Sequence, residues 1–238
     1  MALYRDEGVV LRTYKLGEAD RIVVLMTRSR GKVRAVAKGV RKTKSKFGSR
    51  LEPGSHSALL LYEGRGELDI VSQAESIDHF RAIRDDLDRL TAMSSMLEVV
   101  DQLSLEGEPD MSLYRMLLGA LRTLEAHHAP LVVGSFFLKA LALEGFQPMV
   151  DQCVGCGVTE GLVAFDPGEG GLTCRDCRRG RSVDERTVEL LRLILDGGLG
   201  KALNEPPSPA AAEVAHLASD AMEHHLERRL RSLTVLDH

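Results

Sequence analysis

The feature that most constrains this chain is a change of hydrophobic period near residue 77. Upstream of it, β-type segments fill the first 75 residues: Gly8 to Tyr14, Arg21 to Thr27, Lys32 to Ala37, Ser57 to Tyr62 and Glu67 to Gln73. Turn signals separate them, Ser29 to Gly31 for one hairpin and Gly64-Arg65-Gly66 for another. A polar stretch with glycine and proline, from Lys38 to Gly54, reads as a loop. Five short strands with one long connection suit a small Greek-key barrel such as the OB-fold, whose face and loops bind nucleic acid. An SH3-like barrel fits the strand count as well, and periodicity does not separate the two.

From about Ile77 the spacing becomes three and four, with Ile83, Leu87, Leu90, Met93, Leu97, Val100 and Leu103 on one helical face. A second helix spans Met111 to Ala126. A third opens at Pro130, favoured in a first helical turn, and runs through Phe136, Leu138 and Leu141 to Glu144, where Gly145 ends it. Ser182 and Glu185 are spaced as a capping box ahead of Val188, Leu191, Leu193 and Leu195, and Gly197 and Gly198 stop that helix. Glu205-Pro206-Pro207 is a linker. Ser208 and Pro209 then open a last helix that reaches roughly Leu233. The fold class is therefore α+β, with a five-stranded OB-fold barrel over residues 1–78 and an α-helical domain over 79–238.

At 238 residues the chain can bury two cores. Its 44% hydrophobic and 28% charged composition is that of a globular protein. The opening MALYRDEG carries charge at Arg5, Asp6 and Glu7 where a secretory signal needs an apolar stretch. No apolar run approaches the roughly 20 residues of a membrane span, so the chain reads as cytoplasmic and without a membrane partner. The net charge of -4 hides a segregation: residues 1 to 80 hold 15 Lys and Arg against 10 Asp and Glu, and the remainder 16 against 25. A basic front on an acidic body is the asymmetry of a polyanion-binding module.

That basic charge is concentrated. Arg28, Arg30, Lys32, Arg34, Lys38, Arg41, Lys42, Lys44, Lys46 and Arg50 include no acidic residue between them. Lys32 and Arg34 share one face of their strand while Val33 and Ala35 point to the core. With no acidic neighbour to neutralise it, the run is read as a phosphate-binding surface that releases counterions and has little sequence preference. Phe47 and Tyr14 are the aromatics placed to stack on bases, with core packing the alternative for each. The candidate DNA-binding set is Lys32, Arg34, Lys38, Arg41, Lys42, Lys44, Lys46, Phe47 and Arg50.

All four cysteines lie in two pairs, Cys153 with Cys156 and Cys174 with Cys177, spaced C-x2-C-x17-C-x2-C. Each pair can form a knuckle bringing two thiolates to one metal, as in a structural zinc ribbon, here over about residues 150–181. Gly155 and Gly157 let the first knuckle curl. A closed four-sulfur site has no open coordination position, so it argues for folding and against catalysis. Arg175, Arg178, Arg179 and Arg181 rim the second knuckle, where Asp176 and Asp184 dilute their charge and a solvated rim is the reading.

No G-x4-G-K-[ST] loop and no G-x-G-x-x-G fingerprint is present, and no H-E-x-x-H motif. His127 with His128 and His224 with His225 read as surface pairs. Nothing marks a catalytic constellation.

The stretch GEADRIVVLMTRSRGKVRAVAKGVRKTKSKFGSRLEPGS, Gly17 to Ser55, resembles the hallmark region of the RecO family of bacterial recombination mediators. Its order is a G-E-x-D turn, a strand ending in L-x-T, a G-K hairpin, A-x-A-K-G and a basic S-K-F-G-S-x-L-E-P loop. The L-E-G-F-x-P segment, Leu143 to Pro148, followed by cysteine knuckles is similar to zinc-bearing members. The resemblance implies a non-enzymatic protein of DNA repair and recombination that binds single- and double-stranded DNA and anneals complementary strands without ATP. It also implies that, with RecR, the protein helps load RecA onto SSB-coated single strands, at the nucleoid during repair, with structural Zn2+. The rival readings are an enzyme, a zinc-stabilised nuclease or nucleotide-modifying protein that uses the barrel only to hold substrate, and a transcriptional regulator with a zinc ribbon and sequence-selective duplex binding.

Overall fold

The computed structural model describes residues 2–64, 66–126 and 130–232. Five strands form a closed barrel: β1 (Leu3–Leu16), β2 (Asp20–Thr27), β3 (Gly31–Ala37), β4 (His56–Tyr62) and β5 (Asp69–Asp78), in the order β1-β2-β3-β5-β4. β1 pairs antiparallel with both β2 and β4, and β3 meets β5 in parallel at Ala35 with Asp69 and Val36 with Ile70. This Greek-key order, which no simple meander produces, is that of the OB-fold.

Alternation along the strands fills the barrel with Val10, Val23, Leu25, Val33, Ala35, Leu59, Leu61 and Val71. Two strands outrun their sequence signals. β1 begins at Leu3 because its charged residues are accommodated: Asp6 turns inward and accepts the Ser29 N–H, 3.2 Å away. An irregularity between Val10 and Arg12 bends the strand so that it serves two neighbours. β5 continues to Asp78, so the helical region expected from Ile77 begins only at α1 (Arg81–Arg84). The turn expected at Gly64-Arg65-Gly66 includes Arg65, outside the described residues.

The first long helix is divided. α2 (Leu87–Leu103) starts afresh behind Asp86, whose carboxylate accepts the Arg89 N–H. α3 (Met111–Ala126) follows as expected. Between them, Leu105 to Gly107 adds to the open start of β3: Lys32 N–H donates to the Leu105 carbonyl at 3.2 Å and Gly107 N–H to the Lys32 carbonyl at 3.2 Å. The segment passes so close that a side chain on Gly31, already at φ +65°, would meet the Glu108 carbonyl oxygen at 1.9 Å.

The chain divides into two compact units after Glu125. The first holds the barrel with α1, α2 and α3. The second holds α4 (Val132–Leu143), a small sheet of β6 (Leu162–Asp166), β7 (Gly171–Cys174) and β8 (Arg181–Ser182), then α5 (Glu185–Leu195), α6 (Leu199–Ala202) and α7 (Pro209–His225). Pro130 precedes α4 by a turn. The cap of α5 is Asp184, which accepts the Thr187 N–H at 2.7 Å; Ser182, the residue expected there, is taken up by β8. Ser208 caps α7 as expected. That helix ends at His225, well short of Leu233, which lies outside the described residues, as do His127 and His128. Among the described residues no helix is long and apolar enough to cross a membrane.

Candidate nucleic-acid interface and metal centre

The basic hallmark stretch folds as one hydrogen-bonded unit. The Asp20 carboxylate, at the start of β2, accepts the Gly39 N–H at 2.7 Å, and Arg41 returns a guanidinium hydrogen bond to the Glu18 carbonyl at 2.9 Å. Arg21 pairs with Glu52 at 2.8 Å. The long loop is thereby tied down at both ends, and a single 3-10 turn at Gly48–Leu51 drops Leu51 into the barrel.

Phe47 goes the same way. It is 1% exposed, within the barrel core, so it is unavailable for stacking on a base. An aromatic in a basic loop reads equally well as a stacker or a plug, and here the open end of the barrel needs a plug. Tyr14, by contrast, is exposed.

The ten cations fall into two populations. Those on and beside the strands have acidic partners drawn from distant sequence: Arg28 with Glu7 at 3.5 Å, Arg30 with Glu63 at 3.7 Å, and Arg34 with Glu67 at 3.4 Å and Glu106 at 3.8 Å. The expectation that nothing acidic neutralises the run therefore fails for these residues. Lys32 does lie on the same face as Arg34, yet it is largely covered; its Nζ donates to the Asp101 carbonyl at 2.7 Å and lies 3.8 Å from the Asp101 carboxylate. Asp101 is itself 4% exposed and also holds the Arg12 guanidinium at 2.9 Å. These contacts fasten α2 to β1 and β3, and the local run of sequence contains no sign of them.

The loop cations differ. Lys38, Arg41, Lys42, Lys44 and Lys46 are exposed, with Arg50 half-buried. Among the described residues none of the six has a carboxylate partner; Arg41, Lys46 and Arg50 donate hydrogen bonds to backbone carbonyls, and Lys46 also lies over the Phe47 ring. Positive charge here is uncompensated and faces solvent.

In the second unit the four cysteine sulfurs all lie within 4.8 Å of one another, and all four thiols are free of disulfides. Sulfur to sulfur, Cys156 and Cys174 are 3.7 Å apart. Cys153 and Cys156 sit on a tight turn in which Gly157 N–H donates to the Cys153 carbonyl at 2.8 Å. A side chain on Gly155 would press on Cys177 at 3.2 Å, so the glycine lets the second knuckle approach. Cys174 ends β7, and Cys177 follows in the turn. Backbone N–H groups, first that of Cys174, hold the Cys153 thiol down to about 6, while thiol contacts, first with Cys156, push Cys177 up to about 12. A cation among the sulfurs would favour the thiolate at every position. The donor set fits a metal ion. The arginine rim is partly engaged: Arg179 pairs with Glu169 at 3.0 Å and Arg181 with Glu213 at 3.8 Å.

Comparison with known proteins agrees with this architecture. Residues 1–80 match the model described as Recombination protein O N terminal, and residues 84–234 that described as Recombination protein O C terminal. The chain is 45% identical to the DNA repair protein RecO of Streptomyces coelicolor, each covered over 100% of its length. It is also 45% identical to that of Nocardioides sp., over 99% of each chain, and 45% identical to that of Bifidobacterium adolescentis, over 100% of each. With both halves of the family model accounted for and identity sustained along the whole length, this chain belongs to the RecO family of DNA repair proteins.

Proposed function

We propose that this chain is a non-catalytic recombination mediator: it binds single- and double-stranded DNA through the barrel domain, residues 1–78, and anneals complementary strands without ATP. With RecR it helps load RecA onto SSB-coated single-stranded DNA. The observation that carries the reading is the loop from Lys38 to Arg50, whose exposed cations have no carboxylate partner among the described residues. Charge left uncompensated on a folded loop attracts phosphate and gives salt-sensitive binding with little base preference. A surface that binds two strands through their phosphates raises their local concentration and screens their repulsion, which favours annealing.

The four-cysteine centre holds zinc in a structural role. A tetrahedron with metal-to-sulfur bonds of about 2.3 Å has edges of about 3.8 Å, and the Cys156 to Cys174 separation is 3.7 Å. Four sulfurs complete that shell and leave no position for substrate.

The test is strand annealing of complementary oligonucleotides, with and without ATP, and with one strand coated by SSB. The protein should accelerate annealing equally with and without ATP. A strict ATP requirement, or cleavage of the labelled strands in Mg2+, would overturn the assignment.

A further inference from the structure

The barrel carries an apolar row that its core does not use. In register across adjacent strands, Tyr14 of β1 faces Ile22 of β2, Ile22 faces Val36 of β3, and Val36 faces Ile70 of β5. Ile22, Val36 and Ile70 alternate with core residues and so point outward, and Tyr14 shares their face through its register with Ile22. None of the four is fully buried, and Tyr14 is 43% exposed. One step along the strands from Tyr14 and Val36 lie Arg12 and Arg34, on the same face.

Tyr14 is also held in place. The Arg12 guanidinium lies over its ring, 4.9 Å from the centroid. Arg12 is in turn fixed by the Asp101 carboxylate at 2.9 Å. A buried carboxylate thus positions a cation, and the cation positions an aromatic ring. An exposed tyrosine normally loses rotamer freedom when it binds, and a ring already fixed on one face has less to lose.

We infer that Tyr14 is a base-stacking residue for single-stranded DNA, with Ile22 and Val36 continuing the apolar surface and Asp101 and Arg12 acting as positioning residues. The occupant follows from charge and shape together. Lys38, two residues beyond Val36, and Arg41, whose guanidinium donates to the Gly17 and Glu18 carbonyls of the turn after β1, are exposed cations suited to phosphate, and the row offers an aromatic face suited to an unpaired base, the combination that single-strand binders use. In duplex DNA the base faces are stacked on one another and closed to the ring. The inference rests on the DNA-binding reading above and adds a contact to bases where that reading has contacts only to phosphates.

The experiment compares the full-length protein binding a (dT) oligomer and an abasic oligomer of equal length, which keeps the phosphates and lacks the bases. The parent should favour (dT) about tenfold, and Tyr14→Ala should remove about tenfold from (dT) affinity while leaving abasic affinity unchanged. Tyr14→Phe should behave as the parent. Asp101→Asn should reduce the (dT) preference in part. Because the chain contains no tryptophan, Tyr14→Trp supplies a single reporter, whose fluorescence should be quenched by (dT) and not by the abasic oligomer. Equal parental affinity for the two oligomers, or a folded Tyr14→Ala protein that keeps the (dT) preference, overturns the stacking assignment and leaves phosphate binding standing. The same result combined with loss of a protein partner would assign the row to that partner. Absence of binding to either oligomer at low salt overturns both readings.

Discussion

Lys32 donates its ammonium to the backbone carbonyl of Asp101, 2.7 Å away across the seam between β3 and the end of α2. The Asp101 carboxylate receives Arg12 from β1 at 2.9 Å. Asp101 is buried but Arg12 is half exposed, so solvent screens part of the loss on removing either partner, and the cost lies no higher than the lower end of the roughly 3 to 5 kcal/mol of fully buried pairs. Asp101→Ala should therefore lower unfolding stability by about 3 kcal/mol in urea titration. Lys32→Ala should also register as lost stability, by about 1.5 kcal/mol or more for a hydrogen bond from a charged donor, with little change in the salt dependence of DNA binding.

The loop lysines should behave in the opposite way. In Lys42→Ala, Lys44→Ala, Lys46→Ala combined, removing three phosphate contacts to a single strand should lower the log-log salt slope by roughly 2. Melting should change little, since exposed substitutions seldom exceed about half a kcal/mol. A folded triple variant with parental affinity and slope would place the phosphate contacts elsewhere.

Phe47→Ala should cost about 3 to 5 kcal/mol, the usual loss for emptying a buried aromatic site, whereas Phe47→Leu should keep most of the stability and all of the DNA affinity. Urea titration alongside a binding isotherm separates a plug from a stacking residue.

Acid sensitivity is expected at the junction of β4, β5 and α3, where Asp78 contacts His56 Nδ1 and Arg122, each at 3.0 Å. Burial alone would raise the Asp78 carboxyl, but the hydrogen bonds from His56 and Arg122 outweigh it and hold the group below its ordinary value of 3.8. A carboxylate depressed in the folded state stabilises above its unfolded value, and the contribution disappears as pH falls through the folded one. Stability of the parent should thus decline below about pH 4 more steeply than that of Asp78→Asn.

For the metal centre, elemental analysis should return about one zinc per chain. Chelation, or Cys153→Ser with Cys174→Ser, should raise amide exchange and lower the melting temperature of the unit after Glu125, while the unit before it keeps its protection, because structural zinc contributes on the order of 10 kcal/mol to such sites. Unchanged melting of metal-free protein would remove the metal from the fold.

Much of this was legible in the sequence because it is written in short-range patterns. Alternation located five strands, C-x2-C spacing located the sulfur cluster, and Ser208 with Pro209 marked the start of α7. What escaped depends on residues far apart in the chain. The partners of Arg30 and Arg34 lie 33 residues away and more. The direction of Phe47 depends on an open barrel end that exists only after five strands close. Helix boundaries moved where side chains had a second use, as when Ser182 entered β8 and left the cap to Asp184. Tyr14 could be picked out as an aromatic, but the guanidinium over it was signalled only by Arg12 standing two positions earlier on the same strand face.

The pairing of Leu105 to Gly107 with the start of β3 has a consequence for biosynthesis. β3 meets β5 at only two residue pairs, and its opening residues Gly31 and Lys32 pair with chain made some 70 residues later. At about 5 to 20 residues per second, the ribosome delivers that cover seconds after the strand itself. During the interval a nascent barrel ending near residue 80 would present a row of open backbone groups, the kind of edge that recruits other chains. The connection between α2 and α3 would then serve the young polypeptide as a built-in chaperone, and a fragment cut at the strand-to-helix boundary should be more prone to association than one carried through to Glu125.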